Sequence, residues 1–117
     1  MNFDFSRYNI TLVLGPVDMR CGYDRLAMTV SAVLDIEVDQ GRDCVIFISK
    51  NRGLAKMIWH DGRGKTMLTR RLRGRRFEKF LRLASASDSL SLTVEELKLL
   101  LDGEPLYVRR RDLIKIS

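Results

Sequence analysis

Residues 44–72 read CVIFISKNRGLAKMIWHDGRGKTMLTRRL, and this stretch decides the fold. Its first five residues, Cys44 to Ile48, are apolar at every position, which suits a central strand covered on both faces. From Leu54 to His60 the side chains alternate. Ala55, Met57 and Trp59 point one way, and Lys56, Ile58 and His60 the other. Asp61-Gly62-Arg63-Gly64 reads as a hairpin turn, because glycine supplies the positive φ that tight turns need. Lys65 to Leu72 is a further strand, with Thr66, Leu68 and Leu72 on one face and Lys65, Thr69, Arg71 and Arg73 on the other. Gly74 marks the next turn, and the pattern predicts one more strand over 76–83.

Outward from this block, Ile10 to Leu14 reads as a strand closed by Gly15-Pro16. Tyr23, Leu26, Ala27, Val30, Val33 and Leu34 recur at helical spacing and predict a helix over 23–38. Asp18 or Gly22 starts it, and Gly41 lies just past its end. Ala84 to Ser91, small and polar, reads as a loop. Thr93 and Glu96 form a T-x-x-E capping box, with Leu92 and Leu97 spaced as a hydrophobic staple. The helix they open, near 94–102, turns Leu97, Leu100 and Leu101 inward and ends at Gly103 and Pro105. In the tail, Leu113 to Ile116 suits a short edge strand. The expected fold is α+β: a single domain over 1–117, an antiparallel β-meander of four to five strands with two packed helices.

A hydrophobic share of 45% in 117 residues is enough for one modest core. No apolar run approaches the ~20 residues of a membrane span, so no membrane partner is expected. The first residues lack a basic flank followed by an apolar stretch. Cys21 and Cys44 have no metal-ligand spacing and read as reduced, partly buried thiols. The expected compartment is the cytoplasm.

Charge is unevenly spread. Residues 50–82 hold twelve basic groups: Lys50, Arg52, Lys56, Arg63, Lys65, Arg70, Arg71, Arg73, Arg75, Arg76, Lys79 and Arg82. Only Asp61 and Glu78 oppose them, so this segment carries +10 while the remainder carries −4, for a total of +6. Ordinary soluble surfaces mix the signs. Concentrated positive charge points to a polyanionic partner.

Catalytic motifs are missing. Gly64-Lys65-Thr66 matches the end of a phosphate-binding loop, but Trp59 stands where the first glycine is required, and the context is strand-turn-strand. His60 is the only histidine, which leaves no histidine-based metal cluster, and no nucleophile motif lies near it. Asp18, Asp24 and Asp61 could in principle hold divalent metal. Each has a simpler role: Asp18 and Asp24 flank a helix start, and Asp61 opens a turn. Asp18 is expected to accept from amides at the helix start, while Arg20 reaches an acid on a neighbouring segment. No catalytic residue, metal or cofactor is expected.

The run Val17-Asp18-Met19-Arg20-Cys21-Gly22-Tyr23-Asp24-Arg25-Leu26-Ala27 resembles the D-M-R-K-G-[FY]-D-x-L-A signature of TnpB, the small second-frame protein of the insertion sequence 66 family. Further matches follow in order. Lys56 to Gly62 is similar to K-L-L-W-W-D-G, and Leu92-Thr93 through Leu101 to L-T-x-x-[QE]-L-x-x-L-L-x-G, so Trp59 and Asp61 join the matched positions with Asp18, Met19, Arg20, Gly22 and Asp24. Cys21 replaces a usual lysine, and His60 a common second tryptophan. The resemblance covers roughly residues 10 to 103. It implies an accessory protein of DNA transposition, acting beside a separate, larger transposase that cleaves and joins strands.

The residues supply an expected mechanism. Lys50, Arg52, Lys56, Arg63, Lys65, Arg70, Arg71, Arg73, Arg75, Arg76 and Lys79 would contact phosphates of DNA, with the element ends as the natural target. About six neutralised phosphates would give a salt slope near −5. The alternative is an adaptor that binds the transposase through Trp59, Met57 and Phe77, with no direct DNA contact. RNA shares the charge argument. The sequence leaves the oligomeric state open.

Overall fold

The computed structural model describes residues 4–15, 17–77 and 89–105. Among these residues five strands form one sheet: β1 (Asn9–Val13), β2 (Asp43–Ile48), β3 (Leu54–His60), β4 (Lys65–Arg71) and β5 (Ser89–Leu92), in the order β4-β3-β2-β1-β5. Two α-helices among the described residues, α1 (Tyr23–Leu34) and α2 (Val94–Leu101), pack with it in an α+β domain. β2-β3-β4 is the expected antiparallel meander, in register Ile46↔Met57↔Leu68. The sheet departs from a pure antiparallel meander at two pairs: β5 joins β1 at the far edge instead of following β4, and β1 does not pair antiparallel with β2. β1 runs parallel to β2, with Leu12 opposite Ile46. Parallel neighbours need a long crossover, and the segment containing α1 supplies it.

The sheet lies between the helices. Cys44, Ile46, Ala55, Met57 and Trp59 pack with Leu97 and Leu100 of α2 on one face. Val45, Phe47 and Ile58 pack with Leu26 and Val30 of α1 on the other. β2 is therefore the central strand that its unbroken apolar run predicts.

α1 ends four residues before its expected limit. Asp35 adopts a left-handed conformation (φ 57°), which a short polar side chain tolerates, and the chain leaves the helix there. Ile36 and Val38 still pack inward, which is why the apolar pattern runs on to residue 38. Val38–Gln40 forms a separate 3-10 turn closed by Gly41. Gly22 is the N-cap of α1, and Asp18 takes no part in it. Val33, expected in the inner stripe, is exposed.

The capping box of α2 is fully formed. Glu96 donates its amide to Thr93 Oγ1 at 3.1 Å, and the Thr93 amide donates to Glu96 Oε1 at 2.8 Å. The far end is a Schellman motif: the Gly103 and Glu104 amides donate to the Leu100 and Leu99 carbonyls. Ser89, Leu90 and Ser91, expected in a loop, are strand. Leu90 and Leu92 turn into the core, and β5 pairs antiparallel with β1. Arg76 and Phe77 are not in a strand; the rest of the expected 76–83 strand, Lys79 included, lies outside the described residues, as do residues 113–116.

Candidate nucleic-acid interface

The register brings most of the basic segment to one end of the sheet. β2 finishes at Ile48, the turn Ser49–Gly53 follows, and β3 begins at Leu54. Arg71, at the close of β4, stands opposite Leu54. The turn is internally tied: Ser49 Oγ and the Gly53 amide both donate to Asn51 Oδ1, at 2.8 and 2.9 Å. Arg52 sits in a left-handed conformation at its corner. The chain after β4 returns to this turn, where the Phe77 amide donates to the Arg52 carbonyl at 2.8 Å and the Arg76 guanidinium to the Asn51 carbonyl. Lys50, Arg52, Arg71, Arg73, Arg75 and Arg76 therefore share one end of the molecule.

Their side chains divide by task. Arg70 and Arg75 reach the C-terminal end of α2. Arg70 donates to the Leu101 carbonyl and lies 3.7 Å from the Asp102 carboxylate. Arg75 donates to the Asp102 carbonyl and pairs with Glu104 at 3.1 Å. Helix C-termini present unpaired carbonyls and partial negative charge, so guanidinium groups are favoured there. Gly103 allows the close approach. It needs positive φ (74°), and a Cβ there would lie 2.6 Å from Leu72 Cδ1. Lys50, Arg71 and Arg73 are exposed and make no side-chain hydrogen bond or ion pair among the described residues.

Other expected contacts lie elsewhere. Lys56 is buried, at 9% exposure, and its ammonium donates to the Cys21 carbonyl at 2.9 Å, so it is not part of the basic surface. Alternation alone turned Lys56 away from Trp59, but α1 and its preceding loop cover that second face. Lys65 is at the opposite end of β4, 2.8 Å from Asp24 and 3.9 Å from Asp39, with its ammonium over the Tyr23 ring. The hydrogen bond to Asp24 pushes its pKa up. Arg63 is exposed in the hairpin turn at that same end.

The three candidate metal-binding acids each have another partner. Asp61 accepts from the Arg63 and Gly64 amides at 2.9 and 3.1 Å, bonds that hold its carboxyl below the usual range. Asp24 pairs with Lys65. Asp18 accepts the Arg20 amide at 3.0 Å and the Arg20 guanidinium through both oxygens, at 3.1 and 3.2 Å. Arg20 thus pairs with its own signature aspartate, not with an acid on a neighbouring segment. That guanidinium, with the amide, lowers the Asp18 pKa. The Arg20 side chain is 91% exposed, so the signature displays a braced charge pair to solvent.

Trp59, Met57 and Phe77, the contacts expected of an adaptor, are core residues. All three are buried, and Trp59 meets the Phe5 ring edge-on with centroids 5.0 Å apart. No helix among the described residues is long and apolar enough to cross a membrane.

A family model described as IS66 Orf2 like protein matches residues 8–115. A curated relative, the uncharacterized protein y4hO of Sinorhizobium fredii (strain NBRC 101917 / NGR234), is 33% identical over 95 residues, which cover 80% of this chain and 78% of that protein. No solved structure gives a significant match.

Proposed function

The chain belongs to the IS66 Orf2-like family of transposition-associated accessory proteins, and from that membership we propose that it binds DNA through the basic end of its sheet. The observation that carries this reading is the grouping of Lys50, Arg71 and Arg73, exposed and without protein partners among the described residues, beside Arg52, Arg75 and Arg76. Long cationic side chains at a sheet end reach along a phosphate backbone and release counterions. Arg75 and Arg76 extend the same end while remaining anchored by backbone carbonyls. Such contacts position a protein on DNA without reading its sequence. The separate commitments of Asp18, Asp24 and Asp61 support a non-catalytic role beside the transposase.

Affinity for a duplex carrying an element end, for unrelated duplex and for RNA, measured at several salt concentrations, tests this. The three unpaired cations give a slope of log affinity against log salt near −3, and engagement of all six gives about −5. Arg71→Ala with Arg73→Ala weakens binding to every duplex and flattens the slope by about two. Arg42→Ala has little effect. Equal losses from both variants, or no duplex binding by the unaltered protein, would overturn the reading.

A further inference from the structure

At the end of the sheet away from the basic patch, the chemistry reverses. α1 turns Leu26 and Val30 into the core, yet its outer side carries Met28 at 70% exposure and Ala32, also exposed. Between this side of α1 and the 3-10 turn Val38–Gln40 runs an open groove of about 510 Å³. Met28, Ala27 and Ala32 give it an apolar wall, and Asp24, Glu37 and Asp39 form its rim. Lys65 is held at this rim by two of these carboxylates, Asp24 and Asp39, while Glu37 has no ion pair among the described residues. Arg25, three residues before Met28 and seven before Ala32, borders this apolar wall, while Val33 falls on the opposite flank of the helix.

The rim is braced before anything binds. Ser31 Oγ donates to Glu37 at 2.5 Å, and Tyr23 Oη to Asp39 at 2.6 Å. Burial and that bond to Asp39 push the Tyr23 phenol well above its ordinary pKa, so it stays a donor. An exposed methionine over small residues makes a soft apolar wall that adapts to a partner's side chains. A negative local rim on a chain of net charge +6 is complementary to a cation that the molecule as a whole repels.

We propose that the α1 groove docks a basic amphipathic helix of a partner protein. Its apolar residues lie along Met28 and Ala32, and its lysines or arginines meet Asp24, Glu37 and Asp39. The surface is separate from the DNA-binding end and does not depend on that reading. Together the two would let one small domain join a protein to DNA.

The probe is a labelled leucine/lysine amphipathic peptide of ~15 residues, long enough to hold a helix, titrated in fluorescence anisotropy. Two controls accompany it: a leucine/glutamate peptide with the same apolar face, and a serine/lysine peptide with the same charge. The leucine/lysine peptide should bind at least about tenfold more tightly than either control. Met28→Gln and Glu37→Gln should each weaken it severalfold with melting unchanged, while Thr29→Gln on the far flank leaves it unaltered. Equal binding of all three peptides, no binding of the first, or indifference to Met28→Gln would overturn the proposal. So would self-association in sedimentation that Met28→Gln abolishes, because the occupant would then be a second copy of the chain.

Discussion

The ammonium of Lys56 donates to the carbonyl oxygen of Cys21 at 2.9 Å, joining β3 to the loop that carries the Asp18-Met19-Arg20 signature. The two residues are 35 positions apart, and the lysine reaches the bond through an apolar layer that includes Ile58, Val45 and Phe47. A buried lysine persists where its head group finds an acceptor and its stem packs.

Lys56→Ala should therefore lower stability by about 1–3 kcal/mol, since it removes the stem and leaves a carbonyl without its donor. Lys50→Ala, on the exposed turn, should stay within about 0.5 kcal/mol of the parent. Urea denaturation of the two variants checks this. A Lys56→Ala protein as stable as its parent would show that the bond contributes nothing.

The signature turn behaves differently. Asp18 accepts from the Arg20 amide and guanidinium in an exposed loop, while α1 begins at Tyr23 with Gly22 as an N-cap that offers no side-chain bond. Asp18→Ala should leave helix content and melting almost unchanged, and should speed hydrogen exchange at the Arg20 amide alone. The lowered carboxyl pKa sets the pH window. The turn is fully stabilised above the ordinary aspartate value near 4 and is lost as pH falls through the lower folded value. A marked drop in melting temperature would mean that the turn supports α1 after all.

Local pattern carried much of this fold into the sequence. Cys44 to Ile48, apolar throughout, is the strand buried on both sides, and Thr93 with Glu96 makes both capping bonds. Other features depend on partners that no local pattern names. The parallel pairing of Asn9–Val13 with β2 is one, and the burial of Lys56 under the α1 side is another. Ser89-Leu90-Ser91-Leu92 had a legible signal in its strict alternation, but four residues of small and apolar type also fit a loop. In the basic segment, charge marked the region and could not sort it. Arg70 and Arg75 differ from Arg71 and Arg73 only by contacts to residues 27–32 positions away.

The two cysteines should react at very different rates. Burial, aided by the Asp43 charge, pushes the Cys44 thiol up to about 12, whereas Cys21 is partly exposed. Iodoacetamide at pH 8 should modify Cys21 in the native protein and reach Cys44 only on unfolding. A raised thiol pKa favours the folded state at neutral pH. That contribution is fully present below about 9, the unfolded value, and falls away as pH climbs toward 12. Mass mapping after brief alkylation decides the matter. Equal labelling of both thiols would contradict the burial of Cys44.

Neighbouring arginines on β4 should separate stability from DNA affinity. Arg70 and Arg71 are adjacent, so strand alternation sends them to opposite faces of the sheet. Arg70 turns toward α2, where it donates to the Leu101 carbonyl beside Asp102. Arg70→Ala removes a cation from a helix C-terminus and should lower stability by about 0.3–1 kcal/mol. Its effect on DNA affinity should be small, because its guanidinium is held at the C-terminal end of α2, on the face away from Arg71. Arg71 is exposed and makes no hydrogen bond or ion pair among the described residues. Arg71→Ala should leave denaturation unchanged within about 0.5 kcal/mol and reduce the salt slope of DNA binding by about one. The comparison holds charge constant, since each variant loses one arginine from the same strand. If both variants lose affinity equally at unchanged stability, net charge alone governs binding. A larger affinity loss from Arg70→Ala than from Arg71→Ala would place the DNA on the α2 side of the sheet.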